Sequence, residues 1–384
     1  MQRPSIMTIQ TSKNSLASTQ NQTFFINGRF LSQALTGVQR YAAEIVKAID
    51  RALASGQFPA RLHDAEWQLL VPPDAGELPS LKKIKVRKIG RLGGHAWDQF
   101  DLARASRSGR LISLANSGPV LHHDQIVVIH DAQVFRRPDF FGWRYRTAHR
   151  LIDRLLARHA TIATVSNFSR EELAAALDLS ASAIPVFPNS AEHFSSTEPD
   201  DTILDRLSLS PNSYFLFIGS RTKNKNLAVA VRAMKLLNRP DIPLVIVGGN
   251  NSSVFQDNLD EASSNLILAG RLTDSEIAAL YARASAFVFP SLYEGFGVPP
   301  LEAMLFGCPV IASTADAVKE TCGDAAAYFD ATDADALRAL MQERLAAGTI
   351  SDEERSRQQR RIAIYSWQRS ANALLQFLAQ PRIN

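Results

Sequence analysis

Cysteine is scarce in this chain: Cys308 and Cys322 are the two among its 384 residues. Their spacing suits neither a disulfide framework nor a zinc cluster, and it fits a reducing cytoplasm. Cys308, between Gly307 and Pro309, reads as a small buried residue. Long apolar runs are missing as well. No stretch reaches the ~18–20 residues that a membrane helix needs. Residues 1–22, rich in Ser, Thr, Gln and Asn, lack the apolar centre of a signal peptide and read as a disordered tail. Aromatic residues are not interleaved with basic ones, which removes the stacking platform of a nucleic-acid binder. His122, His123 and His130 make no convincing set of three zinc ligands, and no metal or other cofactor is expected.

What is present describes a soluble globular protein, 46% hydrophobic and 21% charged. The chain is long for one core, so two domains are expected. The net charge of +4 is unevenly spread. Residues 1–195 hold 24 Lys and Arg against 16 Asp and Glu, whereas residues 196–384 hold 18 against 22. The basic half contains Lys82, Lys83, Lys85, Arg87 and Lys88, and a helical run from Arg144 to Arg158. Such charge is either a solvated face or an attraction to anionic lipid head groups or a lipid diphosphate.

Strand-like runs alternate with helical patterns almost throughout, which predicts doubly wound α/β domains. In the first half, strands are expected at 23–27, 67–71, 126–130 and 161–165, with 185–188 closing the domain and helices at 37–54 and 145–158. Residues 190–212, rich in Ser, Glu, Asp and Pro, read as a linker. The second half carries expected strands at 214–219, 243–248, 265–269, 286–290 and 309–312. Its expected helices are 225–237, 274–283 and 298–306, and an amphipathic helix at 367–379 ends the pattern.

The densest chemical signal lies between residues 290 and 313. An apolar strand runs into a Gly-rich loop, then a short helix that begins at Val298-Pro299-Pro300, then a second strand. Prolines are tolerated at a helix start, where no intrahelical N–H partner is lost. The loop and the positive helix end present N–H groups that suit a diphosphate. Two carboxylates eight residues apart, Glu294 and Glu302, are then available for hydroxyls. A diphosphate with many hydroxyls describes a nucleotide sugar. A second signal, Gly219-Ser-Arg-Thr-Lys-Asn-Lys-Asn226, follows the first strand of the second half, where open α/β sheets bind ligands. A cation there would face the diphosphate and stabilise it as it leaves.

Pro290-Ser291, Glu294-Gly-Phe-Gly297, Pro300-Leu-Glu-Ala303 and Gly307 with Pro309-Val-Ile311 resemble the Glu-x7-Glu motif of retaining family 4 glycosyltransferases. The resemblance covers nearly the whole chain from about residue 23, densely in the second half and thinly in the first. It implies the GT-B fold: two Rossmann-like domains, 23–195 and 196–366, facing a central cleft, with the terminal helix 367–384 crossing back from Ser366-Trp367 onto the first domain. By the same resemblance Lys225 is the phosphate lysine, in a Lys-Asn pair with Asn226. Arg221 is a second cation, displaced by Ser220 from its usual place after Gly219. Glu302 grips the ribose hydroxyls and Glu294 holds the transferred sugar. The backbone of Phe296, Gly297 and Val298 reaches the diphosphate or sugar.

In the first half, His130-Asp131 ends an expected strand and resembles the family's His-Asp pair beside the donor sugar. Gly37-Val-Gln-Arg40-Tyr41 resembles the family's first loop, in which Gly37 lets the backbone approach donor or acceptor. Arg40 is either a phosphate partner or a surface residue. Val165-Ser166-Asn-Phe-Ser169 matches another family stretch and adds Ser166 to the binding set. Asn27-Gly28-Arg29 belongs to the first-strand loop, while Trp97-Asp98-Gln99 and Asn116-Ser-Gly-Pro119 are further subgroup features. Asp333-Ala-Asp335 is spelled like a metal-binding Asp-x-Asp but reads as a solvated loop and helix start.

The resemblance therefore implies a metal-independent, retaining hexosyltransferase of the cytoplasm, and the basic first half raises the further expectation of reversible contact with the inner face of the cell membrane. Its donor would be a nucleotide sugar, GDP-mannose by preference, and its acceptor a glycan or a lipid-diphosphate-linked saccharide of polysaccharide or lipopolysaccharide assembly. A UDP-hexose donor, an NDP-sugar epimerase, a phosphorylase of the same architecture and an inactive sugar-nucleotide-binding module are the alternatives. The base, the sugar, the acceptor and the oligomeric state are not legible.

Overall fold

The strands of this chain are short and mostly apolar on both faces, so each sheet needs helices on both sides. The computed structural model describes residues 22–249 and 265–381. Apart from Gln22, the tail expected at 1–22 lies outside the described residues, as does the end of the terminal helical segment beyond residue 381.

The first sheet is built from β1 (Thr23–Asn27), β2 (Glu66–Val71), β3 (Lys85–Lys88), β4 (Arg110–Ser113), β5 (Gln125–Val128) and β6 (Thr161–Ala163). The second uses β7 (Phe215–Ile218), β8 (Leu244–Val247), β9 (Leu266–Gly270), β10 (Ala286–Phe289), β11 (Val310–Ser313) and β12 (Ala327–Phe329). The orders are β3-β2-β1-β4-β5-β6 and β12-β11-β10-β7-β8-β9, and every pairing is parallel. Read from its own first strand, each sheet follows one winding rule. The order reverses between β1 and β4 in one sheet and between β7 and β10 in the other. Crevices open at such reversals, outside the carboxyl ends of the strands.

The principal helices, in chain order, are α1 (Gly37–Ser55), α2 (Trp143–His159), α3 (Asn167–Leu177), α4 (Leu227–Leu237), α5 (Asp274–Arg283), α6 (Val298–Leu305), α7 (Asp316–Cys322), α8 (Ala334–Ala347), α9 (Asp352–Ile362) and α10 (Trp367–Ala379). α1 buries Tyr41, Ile45, Val46 and Ile49, a 3.6-residue stripe against the first sheet. α10 lies against α1: its Trp367 ring meets Tyr41 edge-on at 5.9 Å, and Ser370 Oγ donates to Pro188 O at 2.6 Å. Trp367 is buried, as are Ala371, Leu374, Leu375 and Leu378. At ~25 cal/mol per Å² of apolar surface, such a face anchors the return to the first domain.

Several expected boundaries shift. The strand expected at 126–130 stops at Val128, which leaves His130 in the loop beyond it. The segment 185–188 contributes one isolated bridge, Thr164 to Val186, instead of a strand. The linker at 190–212 contains a helical turn, Thr202–Arg206. Asp333 caps α8 by accepting from Ala336 N at 2.9 Å, as a helix start should. Both cysteines are buried, with thiol pKa values raised by desolvation, Cys322 to about 12.

Candidate active site

The reversal between β7 and β10 places two loops face to face. The β7 loop folds into a short 3₁₀ turn, Lys223–Lys225, and its geometry depends on Asn226. Asn226 has φ 52°, a left-handed conformation that asparagine adopts more readily than most residues. Its Nδ2 donates to Pro290 O at 3.1 Å and to Ala331 O at 2.7 Å. Its amide thereby holds this loop to the ends of β10 and β12. Thus positioned, Lys225 Nζ lies 2.7 Å from Glu294 Oε1 and 5.3 Å from the centre of the Phe289 ring. Arg221 is buried, and its Nε has no hydrogen-bond partner among the described residues. A buried guanidinium nitrogen left so is costly unless an anion arrives. Gly219, at the start of the loop, faces the aliphatic stem of Lys225.

The β10 loop owes its path to two glycines with different reasons. Gly297 caps α6 at φ 94°, where a side chain would strain the backbone. A methyl group there would meet ordinary contacts at 3.5 Å and beyond. The backbone angle by itself requires a glycine here. Gly295 is the tight one: a Cβ would stand 2.1 Å from His130 O, across the cleft. Phe296 is buried, its carbonyl accepting from Thr321 Oγ1 at 2.6 Å. Val298 opens α6, and one turn on Glu302 accepts from Tyr281 OH at 3.1 Å and pairs with His193 Nε2 at 3.1 Å. Tyr281 and His193 were not singled out in the sequence, because neither stands within a motif.

From the first domain come His130 and Asp131. His130 Nε2 lies 3.0 Å from Leu114 O. A carbonyl can only accept, so Nε2 carries the proton and Nδ1 is left as an acceptor. Burial lowers the His130 pKa to about 4, and the ring is neutral near pH 7. Asn116 Oδ1 fixes its backbone by accepting from His130 N at 2.8 Å. Burial raises the Asp131 pKa, and its carboxylate feels both Glu294 and Lys225. His130, Asp131, Lys225 and Glu294 thus meet across the cleft.

Several contacts hold the cleft together. Ser166 Oγ donates to Gly295 O at 2.5 Å while also capping α3. Ser169 Oγ reaches His130 O at 3.0 Å and Gly295 O at 2.9 Å. Glu320 accepts from the backbone N–H groups of Asn167 and Phe168, at 2.8 and 2.7 Å. Ser166 is thus a cross-domain tie. Arg40 is engaged likewise: its guanidinium grips Asp274 bidentately at 2.8 Å on both nitrogens, so in this closed form it is not free for a phosphate. Gly37 begins α1 with open space where a Cβ would stand, so no protein atom requires a glycine there.

Residues 204–363 match a family model, "Glycosyl transferases group 1". The O-antigen chain mannosyltransferase B of Escherichia coli is 28% identical over 79% of this chain and 86% of its own length. The O-antigen chain mannosyltransferase RfbU of Salmonella typhimurium is 27% identical over 64% and 69%. Among solved structures, sucrose-phosphate synthase from Thermosynechococcus elongatus overlays with a TM-score of 0.69 at 17% identity, covering 93% of this chain and 98% of that one.

Proposed function

We propose, for a glycosyltransferase of GT-B architecture whose residues 204–363 belong to the group 1 family, that the donor is a nucleoside diphosphate hexose, GDP-mannose by preference. The acceptor is a glycan or lipid-linked saccharide of bacterial surface polysaccharide. Mannose is favoured because both O-antigen relatives bear that activity in their names. The observation that carries the reading is the Lys225–Glu294 contact at the strand reversal of the second sheet, with the unpartnered Arg221 in the same loop.

The donor diphosphate lies between the start of α6 and the β7 loop. Arg221 and Lys225 neutralise it, with Lys225 exchanging Glu294 for a phosphate oxygen. Glu294 then holds a hydroxyl of the hexose and steadies positive charge at its anomeric carbon. Glu302 keeps spare lone pairs beyond those used by Tyr281 and His193, and these accept from the ribose hydroxyls. Neutral His130 accepts from a sugar hydroxyl at Nδ1 without adding charge. The acceptor oxygen attacks the anomeric carbon from the side the leaving group departs. The bond from that carbon to the diphosphate oxygen breaks, and the acceptor's proton passes to the released diphosphate. Configuration is retained without a dedicated base. The proposed reaction is metal-independent.

The protein works in the cytoplasm, docking reversibly on the inner membrane face through its basic first domain. No described helix is long and apolar enough to cross a membrane. A thermal-shift panel of GDP, UDP, ADP and dTDP tests the donor base. The preferred nucleotide, at 100 times its Kd, should stabilise the protein by ~2.7 kcal/mol. No shift with any of the four would overturn the reading. Proton NMR of the first product should show the donor's anomeric configuration, and EDTA should leave the rate unchanged.

A further inference from the structure

α2 is a basic helix on the outside of the first domain, but one of its faces is not basic. Tyr145, His149 and Asp153 follow one another at intervals of four and share that face. The Tyr145 ring is half exposed, its centre 4.0 Å from that of His149 and 5.4 Å from that of Phe141. The His95 ring joins from a separate loop, 6.2 Å from His149. Asp153 lies deepest, 6% exposed, and among the described residues no hydrogen bond or ion pair reaches its carboxylate. Its nearest charged influence is Asp131, which also feels Lys225 and Glu294 of the donor site. The row therefore leads from a partly exposed aromatic ring to the edge of the donor site and ends in a buried carboxyl with nothing to accept from.

We propose that Tyr145, His149 and Asp153, with His95, form the subsite for the acceptor sugar, Asp153 accepting from one of its hydroxyls and Tyr145 stacking on its ring. This rests on the transferase reading above. A mostly buried carboxyl with no protein donor among the described residues, and oxygens that still reach the surface, can take a donor from a ligand. Sugars bring hydroxyl donors and a C–H face that packs on aromatic carbon, and binding sites combine such apolar surface with a few placed polar groups. Burial lowers the pKa of His95 and of His149, so both rings are uncharged partners for hydroxyls near neutral pH. An anion here would be repelled by Glu294 and, as they ionise, by Asp131 and Asp153. The sugar seated here is neutral, and any phosphate or carboxylate of the acceptor lies farther out, toward the arginines of α2.

The test uses the full chain with GDP-mannose as donor and methyl α-mannoside as acceptor, with UDP-glucose in a parallel arm. At pH 8, where Asp153 is ionised, Asp153→Asn should raise the acceptor KM roughly 10- to 100-fold, the cost of a lost charge-assisted hydrogen bond. Kd for GDP and the slow acceptor-free hydrolysis of the donor should be unchanged. Tyr145→Ala should raise the same KM, and Tyr145→Phe, which keeps the ring, should restore it. A methyl glucuronide should be a poorer acceptor than the neutral glycoside. Wild-type acceptor KM in Asp153→Asn, an equal loss of GDP affinity, or no methyl α-mannoside-dependent turnover by a wild-type chain that binds nucleotide would each overturn the subsite. A wild-type chain that binds neither GDP nor UDP would overturn the transferase reading and the subsite with it.

Discussion

The same topological position occurs twice in this molecule and is used in opposite ways. Where the first sheet reverses, between β1 and β4, the chain fills the crevice with its own polar groups. Arg29 Nε pairs with Asp98 at 2.8 Å, and Asn27 Nδ2 donates to Asp98 at 3.1 Å and to Ser113 at 3.3 Å. Arg29 Nη2 reaches Ser117 at 2.6 Å. Asp98 is fully buried and Arg29 nearly so. Where the second sheet reverses, between β7 and β10, a lysine and a glutamate satisfy each other at an accessible edge, and a buried arginine nitrogen is left over. One crevice is filled by the protein's own polar groups, and the other keeps a buried arginine nitrogen without a protein partner among the described residues. Fold alone does not make a site; which polar groups remain unpaired does.

Breaking the closed network should have the largest effect, and on stability. Asp98→Ala strands the Arg29 guanidinium in the interior and should cost ~3–5 kcal/mol, read as a lower denaturation midpoint. Equal stability of this variant and wild type would mean that the first crevice is not structural. Lys225→Ala tests the other side of the comparison. Transfer should fall on the order of 10²–10³-fold, as for loss of one preorganised charge donor, with the denaturation midpoint nearly unchanged. Turnover close to wild type would remove Lys225 from the chemistry.

Within the open crevice the two carboxylates should separate by calorimetry. Glu302→Ala weakens binding of the nucleoside diphosphate, and Glu294→Ala leaves that affinity largely intact while lowering turnover. The reverse pattern would exchange their roles.

A smaller effect concerns pH. Burial, with a further push from Asp131, raises the Asp153 pKa to about 7. The folded protein then holds this proton more tightly than the unfolded chain, whose aspartates titrate near pH 3.9. Stability from this group is therefore greatest at low pH and is lost as pH rises from about 4 through about 7. Asp153→Asn should raise the melting temperature at pH 8 and leave it little changed at pH 4. No difference between the two pH values would mean that Asp153 is not held in the acid form.

The smallest effect is peripheral, since exposed charge is screened within ~10 Å. Changing Lys82, Lys83, Lys85 and Lys88 to Gln should weaken co-sedimentation with anionic vesicles by ~1 kcal/mol per residue at low salt. Equal pelleting with neutral vesicles would leave these lysines as a solvated face. The structure already ties some of this patch inward: Lys85 approaches Glu66 at 3.8 Å, and Arg87 donates to Gln68 at 2.7 Å.

The open crevice was the more legible of the two, for a physical reason. Its residues come from two short continuous loops, 219–226 and 290–302, so spacing along the chain reports spacing in space. The first domain assembles its polar groups from distant segments: Asn27, Asp98, Ser113 and Ser117 meet only after folding. Asp98 and Asn116 stood in segments that drew notice in the sequence, but nothing local assigns one to a buried ion pair and the other to the His130 backbone. Three strands escaped sequence reading. β3, Lys-Val-Arg-Lys, is an exposed edge with no apolar run; β4 joins an arginine to two apolar residues; β12 is three residues long. Asn226 carries a structural role that its place beside Lys225 did not announce: its left-handed backbone and two carbonyl partners make it a clamp of the loop.

Gly295 bears on kinetics as well as on shape. The two halves of the enzyme meet where one backbone passes another with no room for a single carbon. A methyl group at that point would act as a doorstop: Gly295→Ala should leave each half folded and the nucleotide half able to load, yet slow the step at which the jaws come together. If the two halves must meet at each turnover, such a variant should lower kcat more than the affinity for nucleotide, and an unchanged kcat would show that this contact is not made in the rate-limiting step.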